Sequence, residues 1–248
     1  MGRIKLDEIS TRAPEELDKK EIKEKTAGLI QKLDELQNLL FAESKHSILI
    51  VIQGMDASGK DGVIRNVMTS MNPQGVNVSS YKAPTPEELS HDFLWRIHKN
   101  APAKGMVEVF NRSHYEDILI TRVHKWCDDE TARKRMVAIN DFEKLLIQHN
   151  NTHILKFYLH ISKDEQQTRL KERMKDPGKM YKYNENDFAE AKLWDIYMQM
   201  YEDCFNNCAD PEWLIVPSDQ NWYKEYVIAK AIYDLLTGLN MQYPGMKK

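Results

Sequence analysis

Three cysteines in 248 residues (Cys127, Cys204 and Cys208) are too few to frame a disulfide scaffold. No apolar run approaches the ~18 residues of a membrane-crossing helix. The opening MGRIKLDEIS turns polar before any signal-type apolar region can form. Those two absences make the cytoplasm the expected compartment, with no membrane partner. A basic excess is also missing: 35 Lys and Arg against 38 Asp and Glu leave a formal charge of −3, which argues against a nucleic-acid binder. Local basic clusters can still focus potential on a cleft and hold a polyanion. With no internal repeat and no low-complexity linker, residues 1–248 read as one domain. Hydrophobic residues at 42% and charged residues at 29% suffice for one core under a soluble surface.

What is present is alternation. Ser47–Gln53 (SILIVIQ) is a continuous apolar run, as expected of a strand covered on both faces. Residues 76–81, 106–110, 153–161 and 213–216 read as further strands. Helical stretches fall at about 60–70, 86–100, 113–124, 131–149, 163–174, 185–206 and 222–239. Strands separated by helices of this length imply βαβ units. Right-handed crossovers then give a three-layer α/β fold, a central mainly parallel sheet with helices on both faces. An N-terminal helical extension at about 14–43, starting near Thr11 or Arg12, carries Leu29, Ile30, Leu33, Leu36 and Leu40 on one stripe. The seven-residue spacing of Ile22, Leu29 and Leu36 leaves a subunit contact open. Thr26 interrupts the seam, which favours packing on the chain's own domain.

The sharpest signal is Gly54-Met55-Asp56-Ala57-Ser58-Gly59-Lys60-Asp61-Gly62. It follows the apolar strand directly and opens a helix, the setting a Walker A loop requires. Glycines let backbone N–H groups turn inward around phosphate oxygens, and the helix N-terminus adds positive potential. Gly54, Ala57, Ser58, Gly59, Asp61 and Gly62 are therefore candidate cradle positions, and Lys60 reaches the outer phosphates. Asp61 stands where Ser or Thr usually binds Mg²⁺, and Asp56 lies inside the loop. Two carboxylates beside phosphates repel them by ~1 kcal/mol or more per close pair. A bridging divalent cation reverses that sign, so both aspartates read as magnesium ligands. The bland alternative is a chance glycine-rich turn.

A second cluster, Asn111-Arg112-Ser113-His114-Tyr115-Glu116-Asp117, ends the strand at 106–110. Polar residues at the carboxyl ends of parallel strands converge on the ligand crevice. A Walker B aspartate is expected near Asn111, and its absence weakens an ordinary ATPase reading. Arg112 is a candidate phosphate clamp. Asp117 and Glu116 offer carboxylates for metal or base work, although Ser113 and Glu116 also fit a helix capping box. The stretch 169–183 (RLKERMKDPGKMYKY) holds six basic and two acidic residues and is broken by Pro177-Gly178. It reads as a lid over about 169–186, with Arg169 and Arg173 on one helical face to meet a polyanion; a solvated charged turn is the alternative. Cys204 and Cys208 lack histidine partners at zinc spacing and read as buried thiols. Met136, Ile139, Phe142, Leu145 and Leu146 read as core. Trp194, Tyr197 and Tyr201 are read as core in preference to base stacking.

Taken together, in their order and spacing, GMDASGKDG, FNRSHYED, YKAPTPEEL and VPSDQNWYKEY give a specific resemblance. The chain resembles family-2 polyphosphate kinases over nearly its whole length. The resemblance implies a P-loop kinase fold similar to thymidylate kinase, with a lid. It also implies Mg²⁺-dependent phosphoryl exchange between inorganic polyphosphate and AMP, ADP or ATP. Carried onto these positions, it implies Asp56 as a metal ligand, with Asp117 the second candidate. Lys60 and Arg112 would touch the transferring phosphates, with Arg169 and Arg173 in the lid. Lys82 and Glu116 are the expected nucleotide contacts, and a dimer or tetramer is the expected assembly. Asn111 with Glu116-Asp117 departs from the FDRSWYNR pattern and is similar to the class acting on both AMP and ADP. The residues by themselves reach only Mg²⁺-dependent phosphoryl transfer. They leave open an ATP-dependent nucleoside or nucleotide kinase, and a non-catalytic phosphate-binding module.

Overall fold

Ser47–Gln53 (β1) buries all seven of its residues, the environment of an inner strand with helices on both faces. In the computed structural model, which describes residues 3–245, β1 pairs in parallel with Val107–Asn111 (β3) and Thr152–His160 (β4). Val76–Ser80 (β2) adds in parallel to β3, and Trp213–Pro217 (β5) to β4. The order is β2-β3-β1-β4-β5. Helices Lys19–Glu43 (α1), Lys60–Val67 (α2), Pro86–Leu89 (α3), Trp95–His98 (α4) and Ile120–Val123 (α5) are followed by Asp129–Asn150 (α6). Lys163–Lys175 (α7), Asn186–Ala191 (α8), Trp194–Asn207 (α9) and Asn221–Gly238 (α10) complete the set.

Alternation along β1 divides the core in two. Leu49 and Val51 join Phe110 and Tyr158 against Met136, Ile139 and Phe142 of α6 and Tyr201 and Phe205 of α9. Ile48, Ile50 and Ile52 face α1, α2 and α10 through Leu33, Leu40, Val63, Val67, Ile228 and Ile232. The result is the expected three-layer α/β sandwich with a parallel sheet. Tyr197 and Trp194 lie in the first cluster, and Cys204 and Cys208 are buried free thiols within it.

Several element bounds differ from the expectation. The first helix starts at Lys19 rather than near residue 14, because Asp18 caps it by accepting the Glu21 N–H at 2.8 Å. Upstream residues cross the ends of β4 and β5: His160 Nε2 lies 3.1 Å from the carbonyls of Leu6 and Ile9, and Thr11 donates to Asp219. The stripe of α1 packs on α10, and the Thr26 hydroxyl that interrupts it donates to Ile22 C=O at 2.7 Å. Stretches expected as single helices at 86–100, 113–124 and 185–206 are each broken in two, all of the pieces short except Trp194–Asn207. A capping box forms at Thr85 and Glu88, not at Ser113 and Glu116. Ser113 Oγ instead accepts from Tyr115 N–H and Gln53 Nε2, which frees Glu116 to turn toward Arg112.

Candidate active site

The loop after β1 closes through left-handed backbone at Ala57 (φ 64°) and Gly59 (φ 98°), the latter directly preceding α2. The first bond of α2 runs from Val63 N–H to Gly59 C=O, so the amides of Lys60, Asp61 and Gly62 have no helical acceptor. They face outward at the positive end of the helix dipole, where an anion is favoured. Ser58 is an exception among the cradle positions: its N–H is spent on Met55 C=O at 3.1 Å. Lys60 Nζ folds back onto the carbonyls of Gly54 (2.6 Å) and Met55 (3.1 Å). Burial first, then the nearby Arg112, lowers the Lys60 pKa to about 8 against the pull of Asp56 and Glu116. An arriving phosphate would push that pKa back up.

At the end of β3, Arg112 takes a left-handed turn (φ 60°) while its N–H stays on Ile52 C=O. The turn swings the guanidinium over the loop. Its Nη2 donates to Asp56 Oδ1 at 2.5 Å, and its Nη1 lies 3.6 Å from Glu116. Burial works against the Asp56 carboxylate, yet Lys60, Arg112 and Arg173 hold its pKa below the ordinary value. Glu116 goes the other way. Burial, with Asp56 nearby, pushes its pKa up despite Arg112 and Lys60. Lys60, Arg112, Asp56 and Glu116 thus meet at one spot beside unpartnered amides, an arrangement suited to an anion and a hard cation together.

Four of the candidate residues sit differently from the expectation. Asp117 is turned away from this group and pairs with Arg96 at 3.4 Å; its surrounding charges are Arg96 and Arg135. The 3₁₀ turn His114–Ile118 separates the two neighbours, so Glu116, not Asp117, stands beside Asp56. Asp61 accepts from Asn111 Nδ2 (3.0 Å) and Lys182 Nζ (2.8 Å), and these hydrogen bonds help hold its pKa down. Arg169 does not project into the crevice, because all its N–H groups go to Glu165 and to the carbonyls of Ala57, Ser58, Ser218 and Asp219. Lys82 is exposed, and its carbonyl accepts from Arg96. Arg173 does face the site and is held there by Asp187 at 2.5 Å.

Asp187 was not read from the sequence, and neither were the roles of Lys182 and Lys224, although the first falls in the basic stretch 169–183 and the second in VPSDQNWYKEY. Asp187 of α8 lies within electrostatic reach of Asp56, Arg112 and Lys60; burial raises its pKa. Lys182 ties the lid to the loop helix through Asp61. Lys224 of α10 donates to Ser58 C=O at 2.9 Å. A signal for it existed: Lys224, Ile228, Ile232 and Leu236 recur every four residues on a core-facing stripe, where a lysine is out of place.

A model of the family described as Polyphosphate kinase 2 matches residues 16–244. The chain belongs to the polyphosphate kinase 2 family. Relatives bear this out across most of their own length. An AMP/ADP-polyphosphate phosphotransferase of Meiothermus ruber is 44% identical over 223 residues, covering 89% of this chain and 83% of that protein. An ADP-polyphosphate phosphotransferase of Rhodopseudomonas palustris is 40% identical over 229 residues, with 87% and 79% covered. The crystal structure of Polyphosphate Kinase 2 from Arthrobacter aurescens TC1 superposes with a TM-score of 0.95 at 41% identity. That superposition covers 99% of this chain and 89% of the other. Polyphosphate kinase 2 membership thus extends over the loop, the Arg112 turn, the lid and α10.

Proposed function

We propose that this polyphosphate kinase 2 chain moves phosphoryl groups between inorganic polyphosphate and AMP or ADP, giving ADP and ATP. The observation that carries the reading is the convergence of Lys60, Arg112, Asp56 and Glu116 beside the open amides of the loop. The names of the Meiothermus and Rhodopseudomonas relatives support the donor and both acceptors. In the transfer, the terminal P–O–P bond of polyphosphate breaks as an oxygen of the nucleotide's terminal phosphate bonds to that phosphorus. The leaving group is a polyphosphate one unit shorter. The attacking oxygen is already anionic, so the step needs no general base. Lys60 and Arg112 neutralise charge on the transferring group, and the loop amides hold it in line. Positioning and electrostatics carry the rate, with no covalent enzyme intermediate.

The donor set suits magnesium. Asp56 and Glu116 are hard oxygen donors, only two in number, and no group of three or more His, Cys, Asp or Glu side chains placed to hold a metal gathers among the described residues. Mg²⁺ typically binds through one or two carboxylates plus substrate phosphates. Asp56 and Glu116 would hold it, and its charge would screen repulsion between donor and acceptor phosphates. Asp117 is left out of this assignment because it is turned toward Arg96 and Arg135, away from Asp56 and Lys60. Lys82 and Glu116 remain the proposed nucleotide side of the crevice. Self-association as a dimer or tetramer belongs to the same proposal and is measured by light scattering. No helix of the described residues is long and apolar enough to cross a membrane; the cytoplasm, where nucleotides are abundant, is the proposed compartment.

The test is separate incubation of AMP and of ADP with polyphosphate and Mg²⁺, without ATP, read by chromatography. Nucleotide products in both, lost on chelation of the metal, support the reading. No product from either, with transfer restored by ATP as donor, sinks it.

A further inference from the structure

Behind the loop, on the side away from the open amides, two cations converge on one carbonyl. The Ser58 oxygen accepts from Arg169 Nη1 at 3.2 Å and from Lys224 Nζ at 2.9 Å. Arg169 holds the neighbouring Ala57 carbonyl as well, at 3.1 Å, and anchors itself on Ser218 and Asp219 beyond β5. Lys224 is steadied by Asn221 Oδ1 at 2.9 Å and is almost fully buried. In a planar trans peptide the C=O and the following N–H point in opposite directions. Pulling the Ser58 carbonyl rearward therefore aims the Gly59 N–H forward, into the anion cradle. A carbonyl that accepts two charged bonds also polarises its peptide, which strengthens the donor on the other side.

Gly59 shows how closely this rear contact is built. A Cβ on Gly59 would lie 2.3 Å from Lys224 Nζ. The position thus demands glycine twice, once for its φ of 98° and once for the lysine packed against it.

We propose that Arg169 and Lys224 are positioning residues, a rear clamp that fixes the phosphate loop with its amides turned toward the polyanion. The inference rests on the reading of this loop as the phosphate site. The loop's left-handed turns at Ala57 and Gly59 are held from α7 and α10 rather than by the loop's own bonds alone. It also accounts for why Arg169, on the lid's first helix, spends every donor on protein oxygens. The lid helix and the loop are thereby one rigid piece at their base, while Arg173, one turn further along, is turned toward Asp56 and the crevice.

Lys224 brings a second consequence. Burial and the adjacent Arg169 lower its pKa to about 7, opposed by Glu225 on α10 and Glu165 on α7, with Lys60 on α2 adding to the lowering. A polyanion in the cradle favours the protonated form. Binding then takes up a proton wherever free Lys224 is neutral, so affinity for polyphosphate falls as pH rises above about 7.

The test compares the unaltered chain with Lys224→Met, Arg169→Lys, the double variant and Lys60→Ala, using polyphosphate, ADP and Mg²⁺. The rear clamp predicts that KM for polyphosphate rises on the order of tenfold in each single clamp variant, with less change in kcat. The double variant should lose less than the product of the two, because both act on one carbonyl. The rise of KM between pH 6.5 and 8.5 should be shallower in Lys224→Met than in the parent chain. Thermal unfolding of each variant identifies any that fails to fold, and the remaining single variant then decides. Unchanged KM and an unchanged pH slope in a folded Lys224→Met, with Lys60→Ala impaired, overturn the clamp. Unimpaired Lys60→Ala overturns instead the reading of the loop on which the clamp stands.

Discussion

Glu143 and Lys156, sealed between α6 and β4, form one cluster of buried charge; Asp56, Arg112 and Glu116, at the carboxyl edge of the sheet, form another. The first is closed. Lys156 Nζ spends its three donors on Glu143 (2.8 Å), Tyr115 Oη (3.0 Å) and Cys208 C=O (3.0 Å). Glu143 accepts in turn from Tyr115 Oη at 2.7 Å and sits 3.2 Å from His114 Nε2. Burial opposes its charge, but His114 and Lys156 win and hold its pKa below the ordinary range. The second cluster is open. Glu116 is left with its pKa raised by burial, Lys60 rests on loop carbonyls, and the helix amides lack acceptors. A closed cluster fixes geometry, here the turn that carries Arg112; an open one keeps capacity for a ligand. The same residue types do opposite work according to how many of their bonds are already made.

The comparison breaks most sharply at the open cluster. Lys60→Ala and Arg112→Ala should each lower kcat by on the order of 10²–10³, the scale for losing one transition-state donor. Near-native rates would place the chemistry elsewhere. At the closed cluster, Glu143→Gln strands Lys156 and should cost about 3–5 kcal/mol of stability, seen as a lower thermal midpoint. Its pH dependence has a definite sign. The Glu143 contribution is fully present above the unfolded value near 4.5 and is lost as pH falls through the lower folded value. The Gln variant should therefore show a flatter acid limb than the parent chain in denaturation against pH.

Smaller effects separate neighbouring carboxylates. Glu116→Gln should raise the Mg²⁺ concentration for half-maximal turnover by roughly tenfold, the lower end for losing a partner at a metal site. Asp117→Asn should leave that requirement unchanged, since Arg96 already holds the side chain. A metal titration in which Asp117→Asn is the impaired variant would reverse the assignment. Smallest of all is Lys182→Met. Its bond to Asp61 is solvent-exposed and should contribute at most about 1 kcal/mol, so unfolding midpoints should move little.

Much of the fold was legible because its signals are local. The buried run of β1, the glycine spacing of the loop and the order of strands and helices follow from periodicity and turn chemistry. The short helices were not, because period alone does not show that residues 90–94 turn away from the helix axis. At the site, Lys60, Asp56 and Arg112 were visible as residue types in the right setting. Which of Glu116 and Asp117 faces Asp56 depends on a 3₁₀ turn, whose register differs from that of an α-helix. Arg169 shares a helical face with Arg173, yet its donors are claimed by carbonyls that arrive from β5 and the loop, far away in sequence. Spacing along one helix cannot report what distant backbone will meet it. Lys224 lay within the quoted VPSDQNWYKEY stretch, but its contact with the loop was legible only as an anomaly, a lysine on an apolar stripe.

The account stands on one binding event, a chain of phosphates seated on the loop by Lys60 and the amides around it. Calorimetric titration of tripolyphosphate into the chain with Mg²⁺ and no nucleotide measures it directly. One saturable site in the parent chain, weakened at least tenfold in Lys60→Ala, is the expected result. Equal affinity in the two proteins would contradict it.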